Sequence, residues 1–197
     1  MRHCTLIPSM ARARSPEKRN AILDAAVQEI AAAGLGAPTA KIAGRAGVAE
    51  GTLFTYFASK DELLNQLYVE LKSEVYTRMN AEFPDKASLQ RRAWHVWSTY
   101  LGWAVAFPKK RKVSVQLHLS DVVSAETRAQ IAGQRGATDA TIAELGERLA
   151  LRGLPEGFAA AAMSAMQEAT MDFITKQPRR REELIEKAFA VFWRLFR

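Results

Sequence analysis

The stretch TAKIAGRAGVAEGTLFTYFASK, residues 39 to 60, decides how the rest of the chain is read. Ile42, Ala43 and Ala46 recur at spacings of three and four, which places them on one face of a short helix over 39–46. Gly47 supplies the backbone freedom for a sharp reversal, and Val48 fills the corner before a second helix over 50–57. In that helix Leu53 and Phe57 turn inward four residues apart, so Gly51, Thr52, Thr55 and Tyr56 turn outward. This is a helix-turn-helix pattern. An α-helix enters the major groove of DNA only if its leading side chains are short or can hydrogen-bond to base edges and phosphates, and these are small or hydroxylated. Ser59 caps the next helix, with Glu62 three residues later completing a capping box. Lys60 falls in its first turn, where a cation loses a few tenths to about 1 kcal/mol against the helix dipole; the placement makes sense if a phosphate lies beside it.

The flanks support this unit. Ser15, Pro16 and Glu17 start a first helix, Ile22, Ala26, Val27 and Ile30 form the stripe that covers the helix-turn-helix, and Gly34 and Gly36 end it. The helix from Lys60 to about Ala81 carries Leu63, Leu64, Leu67, Leu71, Val75 and Met79 along one side and is long enough, about 30 Å, to join this unit to the C-terminal two thirds of the chain. Residues 1–14, MRHCTLIPSMARAR, show no helical period and are expected to be a disordered basic tail, either an arm reaching along DNA or a solvated terminus.

The segment AGVAEGTLFTYFASKDELL, residues 46–64, resembles the DNA-binding signature of the TetR family of one-component bacterial regulators, and the likeness covers Ser15 to Leu64. The resemblance implies that Thr39, Lys41, Thr52, Tyr56 and Lys60 hold phosphates, while Glu50, Gly51 and Thr55 face bases. Two positions depart from the family pattern. Phe54 stands where a tyrosine is usual, which removes a hydroxyl for a phosphate, and Glu50 puts an acid at the groove-facing start of the helix. Glu50 either accepts from a cytosine amino group or serves the helix N-terminus.

Beyond Pro84 the pattern is helical, with breaks at Pro108, Gly133 to Gly136, Gly153 to Pro155 and Pro178 that divide it into five segments. Trp94, Trp97, Tyr100 and Trp103 lie on one helix, but steps of three sweep around its circumference, so the helix is central to a bundle and most of these rings are core. Tyr100, Trp103 and Phe107 share one side and are candidates to line a cavity, with Met163 beside them and Gln116, Gln167 and Thr170 as polar anchors. The run Lys109-Lys110-Arg111-Lys112 reads as a solvated surface. A long helix is expected from Ser124 through Leu149, kinked at Gly133 and Gly136. Pro155 opens a helix with an alanine-rich face that includes Phe158, Ala162 and Ala165. The last helix, 181–197, shows a stripe through Phe189, Phe192 and Phe196 that is wider than one neighbour needs. These two helices either pair with those of a second copy, as in the dimers the resemblance implies, or seal a monomer.

The 197 residues suffice for a full hydrophobic core. The net charge of +7, of which +4 falls in residues 1–60, favours an anionic partner without identifying it. A single cysteine, Cys4, leaves no internal disulfide, and no apolar run is long enough to span a membrane, so a cytoplasmic protein is expected. His3, His95 and His118 have no metal-ligand spacing, and neither GxSxG nor a phosphate-binding glycine loop occurs; no enzyme, metal or cofactor is expected. The expected protein is all-α, with a helix-turn-helix DNA-binding domain over 15–60 and a helical effector-binding and dimerisation domain over 61–197. Its partners would be a double-stranded palindromic operator, a small, largely apolar effector and a second copy of itself. A constitutive regulator whose C-terminal domain only dimerises is the alternative.

Overall fold

The computed structural model describes residues 15–148, 151 and 153–195. The expected basic tail, Leu149 and Phe196 lie outside the described residues. All the regular structure among the described residues is helical, in two compact units, one reaching to Leu63 and the other starting at Leu64.

In the first unit α1 runs Pro16–Ala33, α2 Thr39–Arg45 and α3 Glu50–Tyr56, and α4, Lys60–Asn80, begins there. The helix starts follow local chemistry. Ser15 Oγ accepts the Lys18 N–H at 3.3 Å, with Pro16 at the first position. Ser59 Oγ accepts the Glu62 N–H at 3.0 Å, while the Glu62 carboxylate reaches back to the N–H of Ala58, at 2.7 Å, one residue before the cap. Gly47 turns the chain between α2 and α3 at φ 69, a conformation that costs a glycine nothing and any other residue something. Ile22 and Ile30 of α1, Ile42 of α2, Leu53 of α3 and Phe57 are all sealed from solvent. Each such side chain contributes roughly 1.5–3 kcal/mol, so this small core outweighs any single cap, which gives roughly 0.5–2 kcal/mol.

The second unit contains the rest of α4, then α5 (Leu89–Ala106), α6 (Pro108–His118), α7 (Ala125–Ala132), α8 (Ala137–Gly146), α9 (Phe158–Lys176) and α10 (Arg181–Arg194), with a 3-10 turn at Pro178–Arg180 before α10. As its two-sided apolar pattern requires, α5 touches α6, α8, α9 and α10. Trp97 is fully buried at the centre: its ring stacks on Phe192 at 5.5 Å, and its Nε1 donates to the Ile185 carbonyl at 3.1 Å. Among the described residues no helix is long and apolar enough to cross a membrane.

Two expectations change. The helix expected from Ser124 through Leu149 is two helices, α7 and α8, because Gly136 adopts φ 50 between them. Asn80, at the end of α4, holds that break by donating to the Gln134 carbonyl at 3.1 Å. The helix expected to open at Pro155 starts at Phe158, after Gly157 in the left-handed conformation.

Candidate functional site

The outward edge of α3 is open. Glu50, Gly51 and Thr55 are exposed, Thr52 and Tyr56 are half-buried, and a Cβ added to Gly51 would meet nothing within 4 Å. Lys41 is exposed on α2, and Lys60 is half-buried in the first turn of α4. Phe54 is 41 % exposed, a bare ring on this edge. Three of the hydroxyls already have partners. Thr39 Oγ1 donates to Glu50 Oε1 at 2.6 Å, Thr55 Oγ1 donates to the Gly51 carbonyl at 3.1 Å, and the Tyr56 oxygen accepts the Ser15 N–H at 2.9 Å.

Those bonds have chemical consequences. Because the Tyr56 oxygen is an acceptor for the backbone at the start of α1, its own proton remains free to be donated, and the bond aims it. Thr39 and Glu50 are coupled instead. A phosphate that takes the Thr39 proton must displace the Glu50 carboxylate, which then either turns to a base or repels the backbone. Replacing Glu50 by glutamine is therefore expected to raise affinity for DNA generally and, if the acid reads a cytosine, to lose about 1–3 kcal/mol of preference for the sequences that carry it. Competition binding on a panel of duplexes checks this, and an equal gain on every sequence would show that Glu50 reads no base.

The interior candidates of the second unit separate into two kinds. Tyr100 and Trp103 lie with ring centres 6.0 Å apart, but their polar edges are engaged. Tyr100 donates to Glu168 Oε1 at 2.6 Å, and Arg111 holds the other oxygen of that carboxylate at 2.9 Å. Burial, then the Glu168 carboxylate, pushes the Tyr100 hydroxyl well above its usual range, so it stays a donor. Trp103 Nε1 donates to Glu74 at 3.1 Å, and Lys110 Nζ donates to the same carboxylate at 2.7 Å. Burial raises Glu74, but hydrogen bonds from Lys110 and Trp103 and the Lys110 and Arg78 charges outweigh it and hold the carboxyl below its ordinary value. Phe107 has the Arg78 guanidinium 5.2 Å and the Lys110 ammonium 5.1 Å from its ring centre.

Thr170 Oγ1 donates to the Met166 carbonyl within its own helix, at 2.7 Å, and Met163 is buried. Gln116 Oε1 and Gln167 Nε2 are different: both are buried with no hydrogen-bond partner among the described residues. An amide left so costs roughly 1–3 kcal/mol, which a bound polar group would return. A cleft of about 530 Å³ opens elsewhere, between α8 and the start of α9, lined among others by Arg135, Ile142, Leu151, Leu154 and Phe158. None of the seven interior candidates lines it. Sequence reasoning misses it because the two walls meet only on folding.

The expected partner-facing residues also divide. Phe158 is exposed, Ala165 is exposed and Ala162 half-buried. Phe189 and Phe192 are corrected to the interior: Phe189 packs edge-on against Trp94 at 5.0 Å, and Phe192 lies under Trp97. The stripe on α10 is wide because it has two edges. One carries Phe189, Phe192 and Trp193 into the core, with Leu184 and Ala188 packed half-buried against it, while the other carries Val191 and Leu195, each 52 % exposed.

Comparison with known proteins matches the model of bacterial regulatory proteins, tetR family, to residues 22–67. A crystal structure described as a tetR family transcription regulator from Shewanella sp. PV-4 is 30 % identical, covers 92 % of this chain and 97 % of its own, and superposes with a TM-score of 0.74. FadR from Bacillus subtilis, solved in complex with stearoyl-CoA, has the same fold at 23 % identity, covering 90 % of this chain and 97 % of its own, with a TM-score of 0.64. The curated fatty acid metabolism regulator protein of Bacillus subtilis (strain 168) is 38 % identical over 72 residues, a match spanning 36 % of this chain and 37 % of that relative.

Proposed function

The chain belongs to the TetR family of bacterial transcription regulators, and from that premise we propose that it is a homodimeric cytoplasmic repressor, released from a palindromic operator by a small, largely apolar effector. Residues 15–60 form its DNA-binding part, and residues 61–197 take the effector and the second copy. Each copy lays α3 in one of two successive major grooves, with half-sites about 34–36 Å apart. Thr39, Lys41, Thr52, Tyr56 and Lys60 hold phosphates, and Glu50, Gly51 and Thr55 face bases.

The observation that carries this is the open edge of α3, where a Cβ added to Gly51 would meet nothing within 4 Å and Thr52 and Thr55 stand beside it. An effector is supported by Gln116 Oε1 and Gln167 Nε2, both buried with no hydrogen-bond partner among the described residues. Release needs only that the effector favour one conformation of the protein over the DNA-bound one, with a coupling of roughly 1–3 kcal/mol. A selection from genomic fragments should recover an inverted repeat, and equal, weak binding to every duplex would overturn the proposal. Replacing Lys60 by alanine should weaken all sequences alike and reduce the slope of log affinity against log salt by about 0.9, the value of one phosphate no longer neutralised. An unchanged slope would remove Lys60 from the backbone-binding set.

A second function, a constitutive regulator without an effector, is favoured by one feature: the polar edges of Tyr100 and Trp103 are satisfied within the protomer. A compound library that stabilises nothing in a thermal-shift screen would select it.

A further inference from the structure

Tyr68 is buried on α4, and two cations lie over its ring: Lys72 Nζ at 5.6 Å and the Arg128 guanidinium at 6.0 Å from its centre. Neither belongs to an ion pair among the described residues. Arg128 donates instead to the backbone carbonyls of Val123, His118 and Ser120, which satisfies its N–H groups but not its charge. His118 Nδ1 lies 3.3 Å from the Tyr68 hydroxyl. Arg135, at the break between α7 and α8, adds positive charge that acts on Lys72; its Nη1 is 3.7 Å from Asp139, and its Nε is buried without a hydrogen-bond partner among the described residues. One turn further on, Thr138 is buried with an Oγ1 that also lacks one among the described residues.

The charges around this point do not balance. Glu168 is the carboxylate that acts on Lys72, but Tyr100 and Arg111 already hold its two oxygens. Asp139, about half exposed, serves Arg135 alone of the three cations. Burial first, then Arg135, pushes the Lys72 amine down to about 8. Burial followed by Lys72, Arg128 and Arg135 lowers His118 as well. Buried cations are ordinarily paired, since an unpaired one loses its hydration without return. Lys72 and Arg128 are half-buried and the Arg135 side chain is 40 % exposed, so the loss is partial; among the described residues the three share one long ion pair, and Lys72 keeps accessible surface through which a counter-charge could arrive.

We propose that this cluster seats the anionic group, a carboxylate or a phosphate, of the small molecule that the second unit binds, with Lys72 Nζ as its ion-pair partner and Arg128 and Arg135 as flanking charge. It rests on the effector-released repressor proposed above and narrows the effector from a largely apolar molecule to an anionic amphiphile. Arg135 also lines the cleft walled by Ile142, Leu151, Leu154 and Phe158, whose lining includes neither Lys72 nor Arg128.

The test titrates the full-length protein calorimetrically with dodecanoate, dodecyl phosphate and dodecanol. At least one anion is expected to bind about tenfold or more tightly than the alcohol, the value of one charge-assisted hydrogen bond, and the better anion identifies the head group. Lys72→Met should bring the preference to near parity, and Lys72→Arg should keep it. Lys72→Met should also raise the thermal midpoint of the ligand-free protein, because a half-buried charge with no carboxylate partner among the described residues is removed. Alcohol binding as tight as both anions, a preference untouched by Lys72→Met, no binding of any of the three, or a fall in that midpoint would each overturn the seat. Operator release separates the two proposals. Anions that bind through Lys72 without releasing operator DNA would defeat the effector-released repressor and leave the seat standing. Release by dodecanol as readily as by the anions would do the reverse.

Discussion

Trp97→Ala is expected to cost about 3–5 kcal/mol of stability, the range for removing a large aromatic side chain from a closed core. Three losses combine at that position. The indole is fully buried, it stacks on Phe192 and leans against Phe189, and its Nε1 satisfies the Ile185 carbonyl in α10. Domains hold roughly 5–15 kcal/mol in total, so this one change consumes a large share of what keeps the second unit folded. Trp97→Phe should retain most of the ring packing and lose mainly the hydrogen bond, at about 0.5–1.5 kcal/mol plus the void left by the smaller ring. Urea unfolding followed by far-ultraviolet circular dichroism measures both variants. A loss below about 1 kcal/mol for the alanine variant would show that α5 is not the central helix its neighbours indicate.

Whatever depends on neighbours in the chain is legible in the sequence. Ser15 before Pro16, Gly47 at the reversal and Ser59 with Glu62 each carry their structural cause within four residues, and each is found where its chemistry requires. The inward residues of α3 and the centrality of α5 follow from periodicity, which is likewise local. Partners brought together by folding are hidden. Period turns Tyr56 outward, but the N–H it accepts belongs to Ser15, forty-one positions away. It sets Tyr100 and Trp103 toward a cavity, and nothing near them in the chain announces Glu168 or Glu74. Lys72 carries no signal, because an exposed lysine on a helix and a half-buried one laid over a tyrosine ring look the same in sequence. Phe189 and Phe192 show a different limit: period reveals how wide an apolar face is, but not which edge meets the protomer and which is left over.

That distinction makes the dimer proposal sharp. Glutamates at Val191 and Leu195 together are expected to yield monomers with unchanged helix content, because both side chains are about half exposed and lie on the outer edge of α10. Exposed substitutions of this kind rarely move stability by more than about 0.5 kcal/mol. Two carboxylates facing two more across a twofold axis would instead oppose assembly. Operator binding should then fall by about 10²- to 10⁴-fold, since engaging a second half-site adds that much only when both reading helices belong to one particle. Phe189→Glu with Phe192→Glu is the contrasting pair: it places carboxylates against Trp94 and Trp97, where burying a charge costs far more than any interface returns, so the protein should lose helix content rather than merely dissociate. Sedimentation and circular dichroism on both double variants decide the matter. A dimer that survives glutamates at Val191 and Leu195 would show that this edge of α10 is not where two copies meet.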